Sequence, residues 1–262
     1  MRRDVRHGLR ALLAVAALEL RVQRRDLSPA VVLTVMPVVL AAFLIPTYER
    51  VLETDGAAAV TGVGQAMSGL AVMSSLLLMP HVGFVFYRDH GWNTWSRYLG
   101  ADISVRALVA GKLLVPLGVL LAQFTVLLVT GVLLFGLRVR GSWAALALVV
   151  AGYAVCLLAL AFLGVALCRS IMQLATVANV LALALSGVGG ALVPLSTLPG
   201  WARQIAPAVP SYWGVQGMQK VFGGGGVTSV TTPVLMLLAF TAAAALLAAA
   251  LFRPNERKVS WS

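Results

Sequence analysis

Charge is scarce in this sequence. Only 11% of its 262 residues are charged, whereas 60% are hydrophobic and the mean hydropathy is +0.92. An ordinary soluble domain carries about 25% charged residues. The shortage excludes such a domain, and it predicts a membrane protein whose apolar surface faces lipid.

Acidic residues and cysteines are scarcer still, and their scarcity excludes several chemistries. The nine acids form no metal-binding motif, and Cys156 and Cys168 lack the spacing of a metal site or a disulfide framework. Gly111-Lys112 does not belong to a phosphate-binding loop, because Leu113 follows it and no glycine stands at the right distance upstream. We therefore expect a chain that binds no cofactor or metal of its own and is not an enzyme.

Positive charge is in excess, with a formal net charge of +11. The lysines and arginines cluster at the ends of apolar runs and form no basic stripe, which favours membrane topology over nucleic-acid binding. If the N-terminus is cytoplasmic, fifteen of the twenty basic residues fall on cytoplasmic segments. The other five are Arg50, Arg138, Arg140, Arg203 and Lys220. This asymmetry predicts that both termini are cytoplasmic.

Six apolar runs are long enough to cross a bilayer, which takes about 20 residues each. The sequence therefore predicts an all-α membrane protein with spans at 29–47, 65–86, 105–136, 142–167, 171–192 and 233–252. The six-span domain, 29–252, follows an N-terminal segment, 1–28, and precedes a short cytoplasmic tail, 253–262. Within the first segment, residues 5–25 show the apolar stripe of an amphipathic helix lying at the membrane interface. The alternative is a positively charged tail.

Few polar side chains interrupt the predicted spans. His81 is the one titratable residue assigned to a span, and such residues are functional by default. The alternative is a neutral histidine bonded to a carbonyl group freed by Pro80. Gln123 and Asn179 are further candidates for a polar pathway, although neutral amides more often join helices to one another.

The connection at 86–104, between the second and third spans, is rich in aromatic and polar residues. Trp92, Trp95 and Tyr98 recur at intervals of three, so a helix over 91–101 would place them on one face. Interface hot spots favour Trp, Tyr and Arg. The pattern predicts a helix that docks on a partner, and the alternative is an aromatic belt with no partner.

Polar neighbours complete this prediction. We expect Gly91 to act as the hinge after the second span, because glycine tolerates the required dihedral angles. Arg97 is expected to contact the partner or to brace Asp89 or Asp102.

On the other side of the membrane, residues 194–231 form a long connection before the last span. Its four prolines, with Trp201 and Tyr212, predict short helices broken by turns at the membrane interface. The glycines at 223–226 predict a flexible joint before the last span.

Two stretches resemble the type-2 ATP-binding-cassette transporter permeases. The cytoplasmic stretch carries Tyr87-Arg88-Asp89-His90-Gly91, Thr94-Trp95, Arg97, Leu99, Ser104 and Gly111-Lys112. The outer stretch carries Pro194, Leu198-Pro199, Trp201, Ile205-Ala206, Pro210 and Tyr212. The order of the two stretches and the six spans extend the resemblance over essentially the whole chain. Two departures are Ser96, where the family often has an acid, and Asp102, near a usual proline.

The resemblance implies roles for two sets of residues. The set that would couple to an ATPase, on the so-called coupling helix, is Asp89, Gly91, Trp92, Thr94, Trp95, Arg97 and Tyr98. The set that would form an outer segment or gate is Pro194, Leu198, Pro199, Trp201, Pro210 and Tyr212.

The resemblance also implies a half-transporter in a bacterial cell membrane. Two permease chains would pair through their first and fifth spans and work with two separate ATPase subunits, which bind ATP and Mg²⁺. The nearly uncharged spans favour export of hydrophobic or amphiphilic cargo, such as drugs, antibiotics or lipids. The alternatives are a non-transporting sensor or assembly subunit and an ion-coupled secondary transporter. The cargo, and whether the two permeases are identical, stay open.

Overall fold

The chain is helical in the computed structural model, which describes residues 2–25, 28–54, 61–101, 104–253 and 258. No strand occurs among these residues. Their α-helices are α1 (Arg2–Gln23), α2 (Ser28–Thr54), α3 (Gly62–Leu77), α4 (Met79–Gly91), α5 (Trp95–Gly100), α6 (Val105–Phe135), α7 (Trp143–Leu167), α8 (Ile171–Val188), α9 (Gly200–Ile205), α10 (Pro210–Phe222) and α11 (Thr231–Leu251).

Six segments of this structure are long and apolar enough to cross a membrane. They are α2, α3 together with α4, α6, α7, α8 and α11. The number and order of the predicted spans are therefore confirmed. α1 precedes the first span, α5 lies between the second and third, and α9 and α10 come before the last.

The first span is longer than predicted. α2 continues through Pro37 and Pro46 to Thr54, whereas the sequence predicts its end just after Pro46. A proline removes one helical hydrogen bond, but lipid offers no other partner to the backbone groups around it, so the helix is retained. Glu49 and Glu53 consequently lie on a helix and not in a loop.

The second span is interrupted at Leu78, where α3 ends and α4 begins. Pro80 occupies the first turn of α4, where its missing amide is tolerated. The Leu78 amide donates to Ser75 O at 3.2 Å, and the Ser75 hydroxyl donates to Val72 O at 2.8 Å. These local bonds replace part of the helical ladder that the break removes.

α10 is inserted into the core and does not lie on the surface. A Cβ atom on Gly214 would be 2.9 Å from the Tyr153 ring, and one on Gly217 would be 2.7 Å from Val149. Glycine therefore lets α10 approach α7 closely. Tyr153 is fully buried, and its ring meets Phe124 of α6 edge-on, with 6.0 Å between centroids. α6, α7 and α10 thus share one core.

α1 packs along α6 through one side. Val15 is buried there, and the Leu12 carbonyl oxygen lies directly over Gly111. Leu9 and Leu13 are 56% and 53% exposed, respectively. These leucines belong to the predicted apolar stripe, whose location at the membrane interface stays a prediction.

Replacing Gly111 by valine is expected to loosen α1 from α6, because the new Cβ atom would meet Leu12 O at 2.8 Å and Val15 Cβ at 2.9 Å. Overpacking of this kind costs about 1–3 kcal/mol. Gly118→Val is the matched control, since Gly118 lies on the same helix and faces open space. We expect only Gly111→Val to lower the melting temperature in detergent and to speed tryptic cleavage at Arg21. Equal behaviour of the two variants would contradict this packing.

Candidate functional site

The turn from α4 into α5 differs from the prediction. The predicted helix over 91–101 is wrong at its start, because α5 covers only Trp95–Gly100. Gly91 is the last residue of α4, and the left-handed backbone conformation falls on Asn93, with φ +52°. Asparagine tolerates this conformation better than most residues. The hinge is therefore at Asn93 and not at Gly91.

The three aromatic side chains do not share a face, which corrects a second prediction. Trp92 is 62% exposed, but Trp95 is only 5% exposed. The Trp95 ring stacks on His90 at 4.8 Å between centroids and meets Phe252, at the end of α11, edge-on at 6.2 Å. Tyr98 is half-buried. Trp95 thus anchors α5 to its own chain and is not available to a partner.

Beneath α5 lies a group of four charged side chains, here called the charge network: Glu19 of α1, Arg88 and Asp89 of α4, and Lys112 of α6. Glu19 pairs with Arg88 through one carboxylate oxygen and with Lys112 through the other, at 2.5 Å. Lys112 also pairs with Asp89, whose second oxygen accepts a hydrogen bond from Thr94 Oγ1 at 3.1 Å. The charge network therefore joins three helices and the residue before α5.

The charge network is almost completely buried. The side chain of Lys112 is 0% exposed, those of Glu19 and Asp89 are 4% and 5% exposed, and that of Arg88 is 10% exposed. Two positive and two negative groups balance one another. Removing one partner of such a buried pair costs about 3–5 kcal/mol, because the remaining charge is left uncompensated. The network thus fixes the positions of α1, α4 and α6 relative to one another.

Two aromatic rings cover the charge network. The Tyr98 ring centroid lies 5.3 Å from Lys112 Nζ, and the Trp92 ring centroid lies 5.4 Å from Arg88 Cζ. Burial, followed by the negative charges of the two network carboxylates, raises the pKa of Tyr98, so its phenol stays neutral. The rings therefore contribute cation–π attraction without adding charge.

Parts of this site were not expected from the sequence. Asp89 is predicted to face an ATPase, but it is 4% exposed and pairs with Lys112. His81 is not the only titratable residue in the spans, because Lys112 lies within α6 and already falls in the predicted span at 105–136. The sequence feature that could have indicated the charge network is Glu19, which follows the buried Val15 by four positions and so lies on the same face of α1.

Arg97 is exposed in the last turn of α5. The predicted brace between Arg97 and Asp89 is not formed, since Asp89 is occupied by Lys112 and Thr94. The other predicted brace, to Asp102, lies outside the described residues. Arg97 and Trp92 are thus large exposed side chains on this surface.

The polar residues predicted for a pathway are separated in the structure. His81 Nε2 lies 3.1 Å from Gln23 Oε1 at the end of α1. Gln123 Nε2 donates to Leu33 O at 3.0 Å and so joins α6 to α2. Asn179 is exposed on α8. The structure does not bring these three residues together.

At the far end of the second span, polar side chains tie α3 to the segment before α11. The Gln65 side chain donates to Gly190 O at 2.9 Å and accepts from Gln219 Nε2 at 2.6 Å. Ser211 Oγ donates to Leu185 O at 2.6 Å. Two of these bonds satisfy backbone carbonyl groups near the end of α8, as irregular backbone at membrane depth requires.

The outer segment itself consists of short helices, as predicted. The predicted residues occupy its ends and turns: Pro194, Leu198, Pro199, Trp201, Pro210 and Tyr212. Pro210 is buried at the start of α10, and Trp201 is 63% exposed on α9. The outer segment therefore exposes the Trp201 ring on α9, whereas α10, at its other end, is held inside the core.

Together these features define a helical membrane protein with six candidate spans, a buried charge network at one end and an inserted helical segment at the other. A family model described as ABC-2 type transporter matches residues 10–222. The chain belongs to this family, and it is the permease component of an ABC transporter. The match includes all four residues of the charge network and ends with α10. A comparison with curated proteins gave no match.

Lys112→Met is expected to destabilise the fold by about 3–5 kcal/mol, because Asp89 and Glu19 would lose a buried partner. The double variant Asp89→Asn/Lys112→Met should recover part of this loss, since it removes both charges of one pair and leaves Glu19 with Arg88. Arg106→Met, at an exposed position on the same helix, is the control and should be nearly neutral. Thermal unfolding in detergent measures the differences. A double variant no more stable than Lys112→Met would rule out this pairing.

Trp95→Ala and Trp92→Ala should differ in stability although the residues are close in sequence. Trp95 is buried, so its truncation should cost about 3–5 kcal/mol and lower the folded yield. Trp92 is exposed, and its truncation should leave the melting temperature within about 2 °C of wild type, as surface substitutions usually do. Similar losses of stability for both variants would show that the assignment of Trp95 as buried and Trp92 as exposed is wrong.

Proposed function

We propose that the chain is the membrane-spanning half of an ATP-driven exporter in a bacterial cell membrane, with both termini in the cytoplasm. Two copies would work with two separate ABC ATPase subunits, which bind ATP and Mg²⁺. The family supports the permease role, and the excess of basic residues on the α1 side supports the orientation. The observation that carries the coupling part is the exposed surface at Trp92 above the charge network.

The proposed docking surface consists of Trp92 and Arg97. Trp92 is 62% exposed, and Arg97 is exposed on the adjacent helix. An exposed tryptophan is the kind of side chain that anchors protein interfaces. The surface is firmly attached, because α5 is fixed beneath by Trp95 and Thr94.

The charge network supports a route from this surface to the spans. A force on α5 reaches Asp89 through the Thr94 hydrogen bond and reaches Lys112 through the ion pair. From Lys112 and Arg88 it reaches Glu19 on α1. Buried, paired charges resist separation because each would be left uncompensated. α1, α4 and α6 would therefore move together when an ATPase displaces α5.

A second copy would cover surfaces that one chain leaves open. Only 22% of the most apolar stretch of α2 is buried, as is 22% of that of α8 and 17% of that of the last span, so low burial alone does not single out the first and fifth spans. Gln173, Thr176 and Asn179 recur at intervals of three along the exposed side of α8. Polar side chains in a membrane favour contact with protein or with a water-filled cavity over contact with lipid. This pattern supports pairing through the first and fifth spans.

The glycines at the end of α8 are Gly187, Gly189 and Gly190, and two of them pack within the same chain. Small residues at 187, 189 and 190, in the predicted fifth span, would permit close approach of a second copy, but Gly189 adjoins Ser211 and Gly190 adjoins Leu195 within the same chain. Gly187 alone of these three faces open space. The proposed contact between copies therefore depends on the polar side of α8 and not on this glycine cluster.

The apolar character of the spans supports hydrophobic or amphiphilic cargo. Lys112, the cation buried within α6, is neutralised in the charge network and is not available to a charged cargo. A drug-like, antibiotic or lipid-like compound would need few polar partners on the way. The choice among these compounds is left to transport measurements.

The test is purification of tagged chain from membranes of its native host. We expect an ABC ATPase to copurify in equal amount, in a complex containing two copies of each subunit. Trp92→Ala should lower ATPase recovery roughly thirtyfold, because loss of an anchoring side chain costs at least about 2 kcal/mol. Trp201→Ala is the matched control, since Trp201 is equally exposed on the opposite side, at 63%.

Recovery of the chain without an ATPase would overturn the proposed partnership. If the ATPase is recovered but Trp92→Ala retains it as well as Trp201→Ala does, Trp92 belongs to an aromatic belt and not to the docking surface.

A further inference from the structure

A groove runs between α6 and α7, and we propose that it holds an anionic phospholipid whose phosphate is bound by Arg138 and Arg140. The groove has a volume of about 690 Å³, inside the range of roughly 300–1,000 Å³ typical of ligand sites. It is separate from the docking surface at Trp92, so the proposal does not depend on an ATPase partner.

The walls of the groove accept hydrocarbon. They are apolar except at Thr125 and the Trp143 indole, and the Thr125 hydroxyl already donates to Leu121 O at 2.8 Å. Leu133 on the rim is 75% exposed, so the groove opens sideways, toward the bilayer. A lipid acyl chain can therefore enter directly from the surrounding leaflet, whereas a polar ligand would find almost no partner.

The end of the groove carries positive charge. The connection 136–142 joins α6 to α7, contains no acidic residue, and includes Arg138 and Arg140, both exposed. Neither arginine forms an ion pair with another described residue. Trp143, which lines the groove, begins α7 and is 62% exposed, as suits an aromatic side chain at head-group depth. Arginine side chains bind phosphate oxygens through charge-assisted, often bidentate hydrogen bonds.

The connection is held in a defined position by backbone bonds. Gly136 ends α6 in the left-handed conformation, with φ +68°, and the Leu137 amide donates to Gly131 O at 2.9 Å. The Gly141 amide donates to Val221 O of α10 at 2.9 Å. The arginines are therefore carried by an ordered turn that joins the two helices lining the groove, between Leu133 and Trp143 of its lining. An anionic phospholipid satisfies both the charge of this turn and the apolar walls below it.

The test uses purified chain in nanodiscs of phosphatidylcholine. Phosphatidylglycerol or phosphatidylcholine with brominated acyl chains is added in increasing amounts, and bromine quenches the fluorescence of nearby tryptophan. The Trp143 signal is the difference between wild type and Trp143→Phe. We expect brominated phosphatidylglycerol to reach half-quenching at a five- to thirtyfold lower mole fraction, since two basic residues near the surface contribute roughly this preference.

Two variants and one control distinguish the contribution of the two arginines from that of the groove walls. Arg138→Gln/Arg140→Gln should abolish the preference for phosphatidylglycerol, whereas Arg203→Gln, an exposed arginine of α9, should keep it. Ala147→Phe, which narrows the groove, should weaken quenching by both lipids. Equal quenching by the two lipids in wild type would overturn the proposal and show ordinary bilayer lipid only. An unchanged preference in the double variant, or an equal loss in Arg203→Gln, would also overturn it.

Discussion

The rest of the structure depends on the burial of four charges among helices that are otherwise apolar. Glu19, Arg88, Asp89 and Lys112 have almost no contact with solvent, and each must keep an opposite charge nearby. Hydrophobic association is weak between helices in lipid, because lipid is as apolar as their side chains. Complementary charges therefore specify which helices meet, and they place α1 against the end of the second span.

At the other end of the domain, hydrogen bonds from neutral side chains hold the chain together. There the chain departs from long helices, and each departure frees backbone groups that lipid cannot satisfy. Neutral side chains bind these groups, as the Ser211 hydroxyl does at Leu185 O and the Tyr48 hydroxyl does at Leu192 O, both at 2.6 Å. The interactions at the two ends thus differ. At one end buried charges neutralise one another, and at the other neutral side chains supply hydrogen bonds to irregular backbone.

Hydropathy predicted the number and order of the spans, because the length of an apolar run is a local property. Details that depend on tertiary contacts were not accessible in the same way. Pro46 would be expected to end a helix but does not end α2, and Trp95 is buried partly against Phe252, which lies far along the chain. The aromatic pattern singled out the α4–α5 region, yet the sequence could not show that Asp89 faces inward, since Lys112, with which it pairs, lies on α6.

The interruption at Leu78 provides a point at which the angle between α3 and α4 could change. Pro80 has no amide to donate across Leu78, so a change in the angle between α3 and α4 would fall at this residue. Thirteen residues at 1.5 Å each give an arm of about 20 Å, so a tilt of about 10° would displace its tip by roughly 3 Å. Because the C-terminal end of α4 carries both Arg88 and Asp89, this displacement would move α1 and α6 together with α4.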